Sequence, residues 1–324
     1  MNERKSNVWK YIKEYKWSNV FAMIKNNRKS PAICENEFRN KLVVITGATS
    51  GIGYLVAKKF ASNGSNLICI NRNKEKSEAL KIEIEKEYKV KCDYLIADLS
   101  NLNEIHAVAD ILLQLQESID VIIHNAGIYL TKQELTKEGI DKVLIVHYLS
   151  SFIINYRIKE KLKSQQKSRI ILVNSEGHRF AAWGLRLDDL NWTKRKYSGL
   201  KSYGSAKLAQ LLTMLVFEGY FRNSGVTINA MHPGAVKSDT GQENGRFYKW
   251  YKKNILDKTL KPASISAEAI YYLGVSKETE KISGKFFNLT TLEEPTPPAL
   301  DIEVAKQLWD VSIKMGKLNQ KPVK

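Results

Sequence analysis

The chain has 324 residues, with 51 Lys and Arg against 34 Asp and Glu and a formal net charge of +17. Hydrophobic residues at 43% and charged residues at 26% exclude a mainly disordered chain, and 18 Gly with 7 Pro exclude collagen-like and proline-rich architectures. The three cysteines, Cys34, Cys69 and Cys92, have no paired spacing, which argues against a disulfide framework or a zinc site and for a reducing cytoplasm.

The chain opens on a segment unlike the rest. Residues 1–31 carry eight Lys and Arg against Glu3 and Glu14, a net of +6, and hold Trp9, Tyr11, Tyr15, Trp17 and Phe21. No signal-peptide apolar stretch is present, and no apolar run in the chain approaches the roughly 18–20 residues of a membrane span. Val8, Trp9, Ile12, Tyr15, Val20, Phe21 and Ile24 recur at helical spacing with lysines between them. Such a helix can lie on an anionic membrane surface, or it can pack on its own domain or a second subunit with the lysines solvated.

From Lys41 the pattern alternates. Leu42-Val43-Val44-Ile45 reads as a strand, followed by a glycine turn and a helix over 51–62. Next come a strand at Leu67–Ile70, a helix over 74–88, a strand at Tyr94–Ala97, a helix over 102–116 and a strand at Ile119–His124. Helices around 135–163 and 201–223 flank a strand at Arg169–Val173. Strands at Val226–Met231 and Lys285–Leu289 precede a last helix near 301–315. Short β-branched runs separated by amphipathic helices predict βαβ units and a parallel sheet. One domain over 41–324 is expected, behind an extension over 1–40.

The first strand runs directly into Thr46-Gly47-Ala48-Thr49-Ser50-Gly51-Ile52-Gly53, which opens the first helix. Glycine is required where the backbone turns with positive φ or approaches a pyrophosphate closely, and the helix N-terminus offers free N–H groups to phosphates. The end of the second strand should meet the adenosine ribose. It reads Ile70-Asn71-Arg72-Asn73-Lys74, with no acid until Glu75. An acid there would take the 2′-hydroxyl of NAD, whereas an arginine grips the 2′-phosphate of NADP, so Arg72 predicts NADP.

Tyr203-Gly204-Ser205-Ala206-Lys207 opens a later helix, and the i, i+4 spacing puts Tyr203 and Lys207 on one face. A free tyrosine, with a pKa of about 10, is a poor base at neutral pH; a nearby ammonium and a positive nicotinamide would favour its phenolate.

Thr46 to Gly53, Asp98-Leu99, Asn125-Ala126-Gly127, Ser175, Tyr203-x-x-x-Lys207 and Pro233-Gly234, in this order, resemble the short-chain dehydrogenase/reductase family over roughly residues 40–315. The likeness is nearest to the retinol dehydrogenase branch. It rests there on Arg169–Ser175 with His178, on the 28 positions between Ser175 and Tyr203, and on Ser283 to Phe287 with Pro297 to Leu300 and Leu308-Trp309. The resemblance implies a Rossmann-type, doubly wound parallel sheet. It implies that Ser175 polarises the substrate oxygen, Tyr203 is the general acid or base, and Lys207 tunes Tyr203 and binds ribose. Asp98, with Leu99 beside it, would meet the adenine, and Asn125 to Gly127 would pass close to the cofactor. Pro233-Gly234 would carry the chain past the nicotinamide, and Ser238 would contact the carboxamide or a phosphate. One position departs: His147 stands where the family carries an asparagine, the fourth catalytic residue. It either serves that relay or packs in its helix.

After Pro233-Gly234, residues 245–256 hold four aromatics and two aliphatics, a greasy lid for an apolar substrate, and residues 246–261 carry a net of +5. The expected protein is therefore an NADP(H)-dependent oxidoreductase of lipophilic alcohols and carbonyls, cytoplasmic or peripheral to a membrane. It has no metal, no nucleic-acid partner, and room for homo-oligomers. The alternative is a cofactor-binding regulatory or scaffold protein with weakened chemistry, for which His147 is the support.

Overall fold

A computed structural model describes residues 9–236 and 260–318. The strands are β1 (Leu42–Thr46), β2 (Asn66–Asn71), β3 (Cys92–Ile96), β4 (Val121–His124), β5 (Ser168–Val173), β6 (Val226–His232), β7 (Phe286–Asn288) and β8 (Thr291–Glu293). They form one sheet in the order β3-β2-β1-β4-β5-β6-β7-β8. All pairings are parallel except β7 with β8. Every residue of β1, β4 and β6 is buried, because helices cover both faces; such strands read as unbroken apolar runs rather than alternations.

Helices α2 (Gly51–Ser62), α3 (Lys74–Tyr88) and α7 (Ser264–Val275) pack one face, around Val43, Ile45, Phe60 and Ile270. Helices α4 (Leu102–Gln114), α5 (Ser150–Ser164), α6 (Gly199–Phe221) and α8 (Ile302–Met315) pack the other, around Val44, Ile105, Phe152, Leu208 and Leu308. β1 and β4 are adjacent although two strands separate them in sequence, so the order reverses between them. That reversal opens a crevice at their C-terminal ends, where ligands bind in sheets of this kind.

Three departures from the sequence expectation matter. Helix α7 was not anticipated, since nearly all of its faces are buried and it lacks an amphipathic stripe. The helical stretch placed at 135–163 begins only at Lys142. Residues 135–141 form a turn closed by a bridge from Leu135 to Asp141, and Asp141 caps the helix by accepting from the Leu144 N–H at 3.0 Å. β8 folds back on β7 to make an antiparallel edge.

The N-terminal segment lies on the domain. Its helix α1 (Trp17–Asn26) contacts β8, and Tyr11 is 3% exposed with its hydroxyl donating to Asp301 at 2.6 Å. Cys34 is buried in the core, and Tyr271 donates to the Asn36 carbonyl at 2.5 Å. The outer face differs: Trp9, Trp17 and Phe21 are 71%, 76% and 66% exposed.

Candidate active site

A cleft of about 900 Å³ opens at the C-terminal ends of β1, β4 and β5. The glycine turn forms its floor. Gly47 has φ +71° and Gly51 φ +55°, conformations that favour glycine. At Gly53 a Cβ would stand 2.0 Å from the Gly47 carbonyl oxygen and 2.5 Å from Asn125 Nδ2, so the backbone itself fills that space. The turn is pinned from behind. The Thr46 hydroxyl accepts from the N–H groups of Asn125 and Ala126, both at 3.0 Å, and Asn125 Nδ2 donates to the Thr46 and Gly47 carbonyls at 3.2 and 2.9 Å. Asn71 closes the other side, its Oδ1 accepting from the Ala48 N–H at 2.7 Å. The result is a hydrogen-bonded, glycine-rich cradle at a helix N-terminus, which fits a nucleotide pyrophosphate.

Opposite the cradle, three side chains converge. Ser175 ends the loop after β5, and its Oγ accepts from the Gly177 N–H at 3.0 Å. Tyr203 lies on the first turns of α6, and its ring and the Ser175 hydroxyl both stand against Gly177. One helical turn on, Lys207 is 3% exposed; its Nζ donates to the Val173 carbonyl at 2.7 Å and lies 5.8 Å from the centre of the Tyr203 ring. Burial pushes the Lys207 ammonium down to about 7. Burial raises the Tyr203 phenol, with Ser175 opposing. In the protein alone, burial thus disfavours the Tyr203 phenolate.

A family model of short chain dehydrogenases matches residues 41–184. Retinol dehydrogenase 13 of Homo sapiens is 33% identical over 282 residues, spanning 85% of this chain and 84% of that protein. The WW domain-containing oxidoreductase of Homo sapiens is 29% identical over 286 residues, 85% of this chain and 68% of that protein. Among solved structures, a short chain dehydrogenase from Burkholderia cenocepacia J2315 in complex with NADP superposes with a TM-score of 0.61 at 20% identity, over 81% of this chain and 99% of that one.

The chain belongs to the short-chain dehydrogenase/reductase family.

It is an oxidoreductase near the retinol dehydrogenase branch. In this short-chain dehydrogenase the cleft gathers most of the residues singled out in the sequence. Gly47, Ser50, Gly51, Ile52, Arg72, Asp98, Leu99, Asn125, Ala126, Gly127, His147, Ser175, Tyr203, Lys207, Pro233 and Gly234 all line it. Thr46 and Gly53 stand behind the wall as its supports. Ser238 and the aromatic stretch 245–256 lie outside the described residues. Asp98 lines the cleft while its Oδ1 caps the Ser100 N–H at 2.9 Å.

His147 sits in a single π-helical turn (Ile145–Leu149) just before α5, an irregularity often found at functional sites. Its Nε2 lies 3.0 Å from the Ile128 nitrogen and 2.7 Å from the Ile128 oxygen. Its ring meets Tyr203 edge-on at 5.1 Å. Burial, reinforced by Lys207, holds its pKa well below the usual histidine value, so the imidazole is neutral, and Nδ1 is buried without a partner among the described residues. A Cβ on Gly127 would lie 2.3 Å from the His147 ring, so this ring also fixes glycine at 127.

The sequence reading missed two supports. Gly177 admits the Tyr203 ring, since a Cβ there would stand 2.4 Å from Cε1. Asn174 links the Ser175 loop to the Lys207 helix: its Nδ2 donates to the Lys207 carbonyl and to Gln210 Oε1, each at 2.9 Å, and its Oδ1 accepts from the Ser175 N–H at 2.8 Å. Neither carries a sequence signal beyond adjacency to Ser175.

Proposed function

We propose that the protein interconverts a lipophilic alcohol and its aldehyde or ketone with NADP(H), Tyr203 acting as general acid or base. The observation that carries this reading is the convergence of Ser175, Tyr203 and Lys207 on the wall facing the glycine cradle. The Gly177 N–H occupies a lone pair of the Ser175 hydroxyl, which leaves the hydroxyl proton available to a substrate oxygen. Tyr203 passes a proton to that oxygen in reduction and takes it back in oxidation. Lys207 offers an ammonium to ribose hydroxyls and to the forming phenolate. The cradle, Asn125 to Gly127 and Lys207 would hold the dinucleotide, whose nicotinamide would supply or receive the hydride. The relatives named as retinol dehydrogenases support an apolar substrate. The test is NADPH oxidation against a panel of lipophilic aldehydes and ketones.

Arg72 supports NADP over NAD, since it lines the cleft after β2 and no acid stands from Asn71 to Lys74. Arg72→Asp is expected to raise the Kd for NADPH by about 10-fold or more, the scale of a lost charge-assisted pair, and to leave NADH binding unchanged or improved. Fluorescence titration with both cofactors measures this; equal weakening for both removes the assignment of the 2′-phosphate to Arg72.

The exposed outer face of the N-terminal segment supports peripheral attachment to an anionic membrane. Over residues 9–29 six Lys and Arg stand against Glu14, around Trp9, Trp17 and Phe21. Each such cation contributes about 1 kcal/mol near an anionic surface. Co-sedimentation with phosphatidylserine-containing vesicles is expected at low salt and is expected to weaken as salt rises. Trp17→Glu together with Phe21→Glu should abolish it; unchanged binding by that variant would move the contact elsewhere. No helix among the described residues is long and apolar enough to cross a membrane.

A further inference from the structure

The catalytic serine stands at the head of a short 3₁₀ turn, Glu176–Ala181. Arg179 grips that turn. Its Nε donates to Glu176 Oε2, and its Nη2 donates to Glu293 Oε1 at 2.9 Å. Glu293 lies on β8 with its side chain 1% exposed, and its second oxygen accepts from Asn26 Nδ2 at 2.9 Å and from Asn288 Nδ2 at 3.3 Å. Asn26 is the last residue of α1. A polar chain, buried at Asn26 and Glu293 and partly exposed at Arg179 and Glu176, thus runs from the N-terminal helix to the neighbour of Ser175.

The far end of the same stretch is held as well. The Tyr15 hydroxyl donates to the Ala182 carbonyl at 2.5 Å, and its ring meets Trp183 at 5.7 Å. The Tyr11 ring closes against Gly184, where a Cβ would stand 3.2 Å from it. Two carboxylates share one guanidinium in this chain, so each neutral donor counts. A buried carboxylate that loses a partner must shift or take up a proton.

We propose that the N-terminal segment is a positioning element of the active site. Asn26, acting through Glu293 and Arg179, sets the turn that presents Ser175 to the substrate. The inference rests on the reading of Ser175 as the residue that polarises the substrate oxygen.

The test is a double-mutant cycle in the full chain. Asn26→Ala is expected to lower kcat about tenfold, below the roughly 100-fold that a 1 Å misplacement can cost, with the Kd for NADPH unchanged. In a Ser175→Ala background the same substitution is expected to cost less than twofold, because the group it positions is gone. Tyr15→Phe supplies a second link should Asn26→Ala fold poorly; a two- to threefold loss of kcat is expected, again erased by Ser175→Ala. A loss that persists undiminished in the Ser175→Ala background overturns the proposal while leaving the reading of Ser175 intact. A Ser175→Ala single variant with full kcat overturns both.

Discussion

Tyr203→Phe is expected to lower kcat by about 10²- to 10⁴-fold, the usual contribution of a positioned acid–base group, and to leave cofactor affinity and thermal stability near the original values. The substitution removes one oxygen and keeps the ring. That ring makes edge contacts with His147 at 5.1 Å and Tyr129 at 6.2 Å, and it fills the space left open by Gly177. None of these contacts needs the hydroxyl. A variant that binds NADPH normally and turns over at more than a tenth of the original rate would falsify the assignment of Tyr203 and revive the reading of a weakened, cofactor-binding protein.

Lys207→Met separates catalysis from stability. Methionine nearly matches the length of the lysine stem in a site that is 3% exposed, and it removes the ammonium. Loss of activity of at least 100-fold is expected, as for other positioned charges at a reacting centre. The stability effect has a sign fixed by the pKa. Burial holds Lys207 near 7 in the folded protein against an ordinary 10.5, so the unfolded chain binds more protons between those two values. Lys207 therefore costs the folded state most at pH 7 and below, and the cost fades as pH rises toward 10.5. The difference in Tm, original minus Lys207→Met, should climb between pH 6.5 and 9.5 in protein free of cofactor. A flat difference would mean that the ammonium is solvated in the folded state.

Much of this site is legible in the sequence because its backbone chemistry is local. A strand, a glycine turn with positive φ and a helix N-terminus lie in one stretch from Leu42 to Gly53, and Tyr203 and Lys207 share one helix face. The positions of β1, β2 and β4 follow from unbroken apolar runs. What escapes is non-local or unpatterned. Helix α7 hides because both of its sides are buried. Gly177 looks like any glycine until Tyr203 is laid across it, 26 positions away in the chain. Asn26 gives no sign of its role, since its partner Glu293 is 267 positions distant. His147 was visible as a departure, but not the π-helical turn that carries it or the neutral state imposed by its burial.

The clasp between the two ends of the chain sets an order of events during synthesis. Tyr11, Tyr15 and Asn26 find their partners at Asp301, Ala182 and Glu293. At about 5–20 residues per second, Asn26 leaves the ribosome roughly 13–50 s before Glu293 exists to receive it. The part of the chain made first is therefore among the last to dock, and Tyr11, 3% exposed once docked, waits in solvent meanwhile. Nascent chains halted before β8 should hold a formed nucleotide cradle and a loose serine turn, so that cofactor binding matures before turnover does.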